Sequence, residues 1–301
     1  MARMAWIAVL LGLVTPALGR DIFVNNRGGD DRANGANETP LGMLGPVESI
    51  RKALLLAQPG DRIVLTNNGV PYREMVSLST GRHSGFSTSQ PFVIDGRGAA
   101  LDGSAAVSSS AWESFRGPVF RFRPQRMSYQ QLFHDNRPLA RRYRLVDDRD
   151  LPQLEPLEWA LVDGWIYFRT EEGKLPTDYN LACCGLQTGI TMYHVHDVLI
   201  TNLTVQGFQL DGINAFDGTR DCRLVQVVAR GNGRSGVTVA GSSHLEIVGS
   251  LVGDNGWAQL YTEGVALASV RDTHLLANTA PEIIRHGGRV FVDGQPAAGE
   301  R

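Results

Sequence analysis

Residues 195–280 repeat themselves, and a repeat constrains what a chain can fold into more tightly than composition does. Gly212-Ile213-Asn214-Ala215 realigns with Gly236-Val237-Thr238-Val239, 24 residues on, and that with Gly264-Val265-Ala266-Leu267, 28 residues further. A second segment repeats in step: Val198 and Ile200 align with Cys222 and Leu224, then with Leu245 and Ile247, then with Thr273 and Leu275. Alternation along each segment is that of a strand. Val198, Cys222, Leu245 and Thr273 are therefore expected to point inward and stack, as are Ile213, Val237 and Val265. The implied period is about 23–24 residues with one insertion, placed at Trp257-Ala258-Gln259-Leu260-Tyr261. One repeat buries too little apolar surface to fold alone; stacking repeats about 4.8 Å apart builds a continuous core and satisfies the backbone. Gly207, Asn232-Gly233 and Asn255-Gly256 mark corners where positive φ is expected. Asn232 and Asn255 hold equivalent places, so a short asparagine stack is expected. The leucine template of a leucine-rich solenoid is missing, as is its helix in every repeat.

Composition agrees with a turn-rich β protein: 34 of 301 residues are glycine, only 14 are proline, and there is no low-complexity run. The net charge of −2 comes from 29 basic and 31 acidic residues, which excludes strong electrostatic attraction to nucleic acid or an anionic membrane. Only Lys52 and Lys174 are lysine. Three cysteines are too few for a disulfide framework. A bridge between adjacent Cys183 and Cys184 would be strained, and a bridge from one of them to Cys222 stands beside the reading of buried free thiols.

Residues 1–19 read as an export signal: Arg3, then the apolar run Ala5–Val14, then Ala17-Leu18-Gly19 as a small-x-small cleavage site. The run is about ten residues where a bilayer span needs roughly 20; an uncleaved anchor is the alternative. The expected mature chain is a single domain over 20–301, placed in the periplasm, at the cell surface or outside the cell.

The mature chain opens with Asp21-Ile22-Phe23-Val24, a Gly28-Gly29-Asp30-Asp31 loop and Thr39-Pro40. An amphipathic helical stretch follows, beginning at Pro46 with Val47, Ile50, Ala53, Leu54 and Ala57 on one face, and Pro59-Gly60-Asp61 stops it. Then come the strand Arg62–Leu65 and Tyr72-Arg73-Glu74. This order resembles the opening of secreted right-handed parallel β-helix proteins of the pectin-lyase-like superfamily, in which the helix caps the open end of the stack. Pro91 to Gly103 resembles an early coil of such proteins, with Asp95 and Asp102 as turn residues. The resemblance implies an all-β chain: a right-handed parallel β-helix solenoid with an N-terminal capping α-helix. The clearest coils are 195–280, and a β-rich insertion covers about 104–180. Within that insertion Val119–Phe122 and Trp165–Phe168 alternate as strands, and 131–143 reads as strand, turn, strand. Ala140-Arg141-Arg142-Tyr143 and Asp163-Gly164-Trp165 resemble segments of the small sheet inserted in bacterial β-helix proteins, some of them assigned to glycoside hydrolases; the second arginine departs from that pattern.

The same resemblance implies an extended groove on the outside of the coils that takes a polymer. Asp211 and Glu263 each precede the repeating glycine two coils apart, with Ser235 between them, so their backbones are expected roughly 9–10 Å apart. Glycosidic hydrolysis uses two carboxyl groups about 5–5.5 Å apart for retention and about 6.5–9.5 Å for inversion. Asp217 and Asp254 are further candidate acids. Corner aspartates that cap turns are the competing reading for each, and Asp197, Asp221 and Asp272 recur before strands as structural residues. Trp257 and Tyr261 are candidate sugar platforms or a lid on the core. Arg141 and Arg142, with Arg144 and Arg149, could bind an acidic sugar or form a solvated face. A lyase would need a base near a uronate and could use Ca²⁺; neither lysine lies on a late coil. Arg285-His286-Gly287 resembles a motif of some alginate- and chondroitin-cleaving β-helix lyases. His194 and His196 lack a third metal ligand in sequence. The expected function is a monomeric, carbohydrate-active protein that hydrolyses a polysaccharide, without cofactor or metal. The alternatives are a non-catalytic binding or scaffold β-helix and a lyase.

Overall fold

Alternating apolar positions become continuous columns in the fold. In the computed structural model, which describes residues 19–79, 81–125, 129–143 and 150–300, Ile22, Ile63, Ile94, Ile200, Leu224, Ile247 and Val270 pair in parallel register, one per rung, and all are buried. A second column runs Val76, Ile190, Ile213, Val237, Leu260, Ile283, and a third Leu101, Val205, Ala229, Val252. The three columns meet in one core cluster. Each buried Ile, Leu or Val contributes about 1.5–3 kcal/mol of transfer free energy, and a parallel ladder of this kind reads as a stack because every rung presents the same alternation.

Among the described residues the chain is all-β apart from one α-helix and two short 3-10 turns. The first and second columns belong to one curled sheet whose hydrogen-bonded path doubles back on itself. The strands Ala258–Arg271 and Ile283–Val292 run through the bend and pair on both sides of it. Gly264, at φ 71°, stands at the bend. The third column forms a separate five-stranded parallel sheet.

The period differs from expectation in the last repeat. Val237 pairs with Leu260, and Leu245 with Ala268. The spacing is 23 residues, the same as between Asn232 and Asn255. Val265, expected inside, is 77% exposed, and Thr273 and Leu275 leave the column for Ala268 and Val270. The four-residue insertion expected at Trp257–Tyr261 does not exist; from Ala258 on that segment is regular strand. Gly264-Val265-Ala266-Leu267 resembles the earlier repeats only because alternation without a fixed corner permits more than one alignment. The asparagine stack is present. Asn255 Oδ1 accepts the backbone N–H and Nδ2 of Asn232 at 2.9 and 3.0 Å, and Asn255 Nδ2 donates to Gln259 Oε1 at 2.8 Å. These asparagines are not themselves at positive φ; Gly207, Gly231 and Asp254 are. Asp197, Asp221 and Asp272 also adopt positive φ before their strands, the structural role expected of them.

At the start of the described chain the helix is Ile50–Leu56, shorter than the apolar spacing suggested. Val47 is buried against Val24 instead. Ser49 caps the helix by accepting Lys52 N–H at 3.0 Å, and Glu74 accepts the N–H groups of Ile50 and Arg51. Asp31 in turn takes Ser49 Oγ and N–H and Glu48 N–H. The acidic residues of the two opening motifs thus hold one helix start. The helix packs on Asp21–Val24 and Arg62–Leu65.

His83 is buried beside this helix. Its Nδ1 accepts Ser79 N–H at 3.2 Å, so Nε2 carries the proton toward Leu54 O at 3.1 Å. Burial lowers its pKa, the bond to Leu54 O opposes that, and Arg82 adds to the lowering. The folded chain therefore resists a proton that the unfolded chain accepts at about 6.5. The stabilisation is fully present above about pH 6.5 and is lost as pH falls below it. Thermal melts from about pH 8 to about pH 5 are expected to show that loss, and His83→Gln is expected to flatten it. An unchanged slope in the variant would refute the assignment.

The middle of the chain forms two small antiparallel sheets. One joins Ser104–Ala106, Leu181–Cys184, Leu132–His134 and Arg137–Pro138; the other joins Glu113–Arg116, Val119–Phe122, Trp165–Arg169 and Trp159–Val162. Cys183 and Cys184 lie in the first of these, Cys222 in the core of the curled sheet, and all three are free thiols, which removes the expected bridge alternatives. The export segment 1–19, apart from Gly19, and Arg144 and Arg149 lie outside the described residues. Among the described residues no helix is long and apolar enough to cross a membrane.

Candidate functional site

The outer surface of the second column carries the side chains that alternate with it. One outward row is Thr191, Asn214, Thr238, Tyr261, Ile284, fixed by the strand register. The next outward residues include Tyr193, Phe216, Glu263 and His286; Glu263 pairs directly with His286 across the ladder. The register moves Glu263 away from the place expected of it: Asp211 faces Ser235, and Ser235 faces Ala258, five residues before Glu263.

Asp211 has no exposed surface. Arg234 grips it with two bonds, Nε–Oδ1 2.9 Å and Nη2–Oδ2 2.5 Å; Ser235 Oγ donates at 2.7 Å and Asn214 Nδ2 at 2.9 Å. Ser235 Oγ also meets Thr238 Oγ1 at 2.7 Å. Burial works to lower the Arg234 pKa, but the hydrogen bonds and charge of Asp211 outweigh it and hold the guanidinium above its ordinary value. A carboxylate saturated this way anchors a cation and is poorly placed to trade protons.

Arg234 reaches over the Tyr261 ring, its guanidinium carbon 5.6 Å from the centroid. The Tyr261 hydroxyl donates to Glu263 Oε2 at 2.9 Å. Burial first, and the Glu263 bond second, push the phenol up to about 12, so it stays a neutral donor. His286 Nδ1 lies 3.3 Å from the same hydroxyl. With the phenol proton committed to Glu263, that contact is a bond when Nδ1 carries the ring proton, giving a line His286 to Tyr261 to Glu263. Glu263 is half-buried and His286 exposed. Trp257 packs on both Tyr261 and His286, at 4.9 and 5.7 Å between centroids.

The inserted sheets wall this surface on one side. Tyr129 approaches Trp257 at 6.3 Å, Tyr143 Oη donates to Gly256 O at 2.7 Å, and Gln131 Nε2 donates to Asp254 O at 3.1 Å. A Cβ on Gly233 would stand 1.9 Å from Tyr129 O, so only glycine admits this contact.

Sequence reasoning thus finds Asp211, Trp257, Tyr261 and Glu263 in one neighbourhood and misses Arg234 and Tyr129. The other candidates lie elsewhere. Asp217 accepts Ser242 N–H and hydroxyl and Gly218 N–H at a corner, and the bonds from Ser242 lead in holding its carboxyl low. Asp254 is a positive-φ corner that takes Asn278 Nδ2 at 2.7 Å. Arg142 is ion-paired with Glu158 at 2.6 Å. Arg141 lies between the rings of Tyr143 and Trp159, 4.6 and 5.1 Å from their centroids, and burial lowers its pKa. Among the described residues no group of three or more His, Cys, Asp or Glu could hold a metal ion.

No family model matches this chain, and no curated protein matches it. Three solved structures do. One, described as a glycoside hydrolase, is 10% identical and aligns with a TM-score of 0.57 over 85% of this chain and 76% of its own. A complex of XylC with xylose is 12% identical, with a TM-score of 0.43 over 90% and 69%. A GH136 lacto-N-biosidase from Eubacterium ramulus is 11% identical, with a TM-score of 0.30 over 91% and 56%. At such identities a likeness speaks for backbone architecture only, and the architecture this chain shares is that of the structure described as a glycoside hydrolase.

Proposed function

We propose that this chain is a carbohydrate-active protein that binds a polysaccharide across the outer surface of the second column and hydrolyses a glycosidic bond there, with Glu263 as the proton-carrying carboxylate. The observation that carries the reading is the setting of Glu263. It is half-buried, oriented by the neutral Tyr261 phenol, next to exposed His286 and the Trp257 ring. Aromatic faces suit the apolar C–H surfaces of sugars. A carboxyl group fixed by one donor and only half-buried suits general acid–base work. Asp211 acts at one remove, holding Arg234 on Tyr261. The fold likeness to a glycoside hydrolase structure is consistent with this reading and is not its basis.

The architecture fits a right-handed parallel β-helix of three strips, with Ile50–Leu56 as its end cap, acting as a monomer after export on residues 1–19. One observation favours elimination as a second reading: Tyr261 stands between His286 and Arg234, a hydroxyl and imidazole beside a cation that could face a uronate carboxylate.

The full chain, purified and incubated with xylan, polygalacturonate and alginate, separates these readings. New reducing ends alone mean hydrolysis, reducing ends with ultraviolet-absorbing unsaturated ends mean elimination, and retention of polymer without cleavage means a binding surface. No cleavage and no retention would remove the proposal.

A further inference from the structure

Two large aromatic side chains stand on the same outer surface as Glu263, toward the start of the chain, and neither is used by the site above. Tyr193 is 44% exposed and Phe216 52% exposed. Each follows an inward residue, Met192 and Ala215, that sits in the core. A chain that merely needed to solvate this face would place polar groups there, as it does with Thr191 and Asn214 in the adjacent row. The two rings lie side by side, 5.9 Å between centroids at 41°. Tyr193 is braced edge-on by His194 at 4.3 Å, so its ring is held before any ligand arrives. The strand of Phe216 pairs with Ser235–Val239, which pairs with the strand of Glu263. Two rung spacings place Phe216 about 10 Å from the Glu263 backbone along the stacking direction, and Tyr193 one rung farther.

We infer that Tyr193 and Phe216 form a distal aromatic subsite for the same polysaccharide. The sugar chain then lies across the rungs, with several units on this side of the cleaved bond, and the protein takes its polymer along the chain rather than at a bare end. The inference rests on the polysaccharide reading of the Glu263 site and specifies how the substrate lies on it.

Affinity electrophoresis of the full chain through gels cast with xylan, polygalacturonate or alginate tests it, alongside cleavage kinetics on the same polymers. For the polymer that retards the native chain, Phe216→Ala with Tyr193→Ala is expected to weaken retardation roughly tenfold, each ring supplying about half of that free energy. The kinetic loss is expected in KM rather than kcat. Both side chains are exposed, so the melting temperature should stay within a few degrees. Retardation and KM unchanged in the double variant, with the native chain still retarded, would overturn the subsite and leave the Glu263 reading standing. A native chain that is neither retarded nor active on any of the three polymers overturns both.

Discussion

Glu263→Gln is expected to lower turnover of the cleaved polysaccharide by about two to four orders of magnitude, the usual contribution of a positioned proton-transfer group. The substitution keeps the shape of the side chain and its acceptor oxygen. Tyr261 can therefore still donate, as it does to the carboxylate at 2.9 Å. What disappears is the exchangeable proton and the negative charge. The loss should fall on kcat while polymer retention in gels persists, because Trp257, Tyr193 and Phe216 are untouched. Tyr261→Phe provides the comparison. It removes the donor and the His286 contact but leaves the ring under Arg234, so a smaller loss with an altered pH profile is expected. Initial rates on the polymer identified by screening measure both, and a Glu263→Gln protein with near-native turnover would move the chemistry to another group.

Asp211→Ala is expected to destabilise the fold by about 3–5 kcal/mol, the range for breaking a buried ion pair from one side. The carboxylate has no contact with solvent, and four bonds converge on it. Alanine leaves the Arg234 guanidinium, itself mostly buried, with its charge uncompensated, and strands Asn214 Nδ2. For a chain of this length such a loss corresponds to a fall on the order of 10 °C in Tm. Replacing both partners, Asp211→Leu with Arg234→Met, should be markedly milder, because no charge is then left buried. Calorimetry of the three proteins decides it: equal destabilisation in the single and double variants would mean that packing, not charge, dominates at this corner.

The columns of the core were legible because period-two alternation needs no long-range information. Val198, Cys222 and Leu245 do stack, in register and buried. The final repeat was misaligned because a glycine followed by an apolar residue recurs by chance in any glycine-rich β chain. The asparagines were the better ruler. Asn232 and Asn255 must be one turn apart to bond each other, and their spacing of 23 is that of the later rungs, after rungs of 24. With that ruler two features of the site become readable. Arg234 stands just before Ser235, the residue that pairs with Asp211, its ion-pair partner, and His286 pairs with Glu263 on the neighbouring rung, 23 residues on. An arginine before a strand otherwise looks like any solvated side chain, so Arg234 carried no local signal.

The helix start was only half visible. Its apolar face was clear in sequence, but Val47 belongs to the strand edge beside Val24, and the helix begins where Ser49, Glu74 and Asp31 can satisfy its first N–H groups. Those carboxylates come from segments on either side of the helix, so residue order alone showed them as a motif without a purpose.

By itself the sequence determined that this chain stacks parallel rungs on inward apolar columns, that its cysteines form no framework, and that Asp211, Trp257, Tyr261 and Glu263 fall in the late repeats. Those properties follow from alternation and from contacts one period away. Tertiary structure decided which of these side chains meet. It buried Asp211 against Arg234, left Glu263 to Tyr261 and His286, and brought Tyr129 and Tyr143 of the inserted sheets onto Trp257 and Gly256, over more than 100 residues of chain. Burial and pairing at such separations depend on how an insertion folds back on the stack, and no local pattern encodes that.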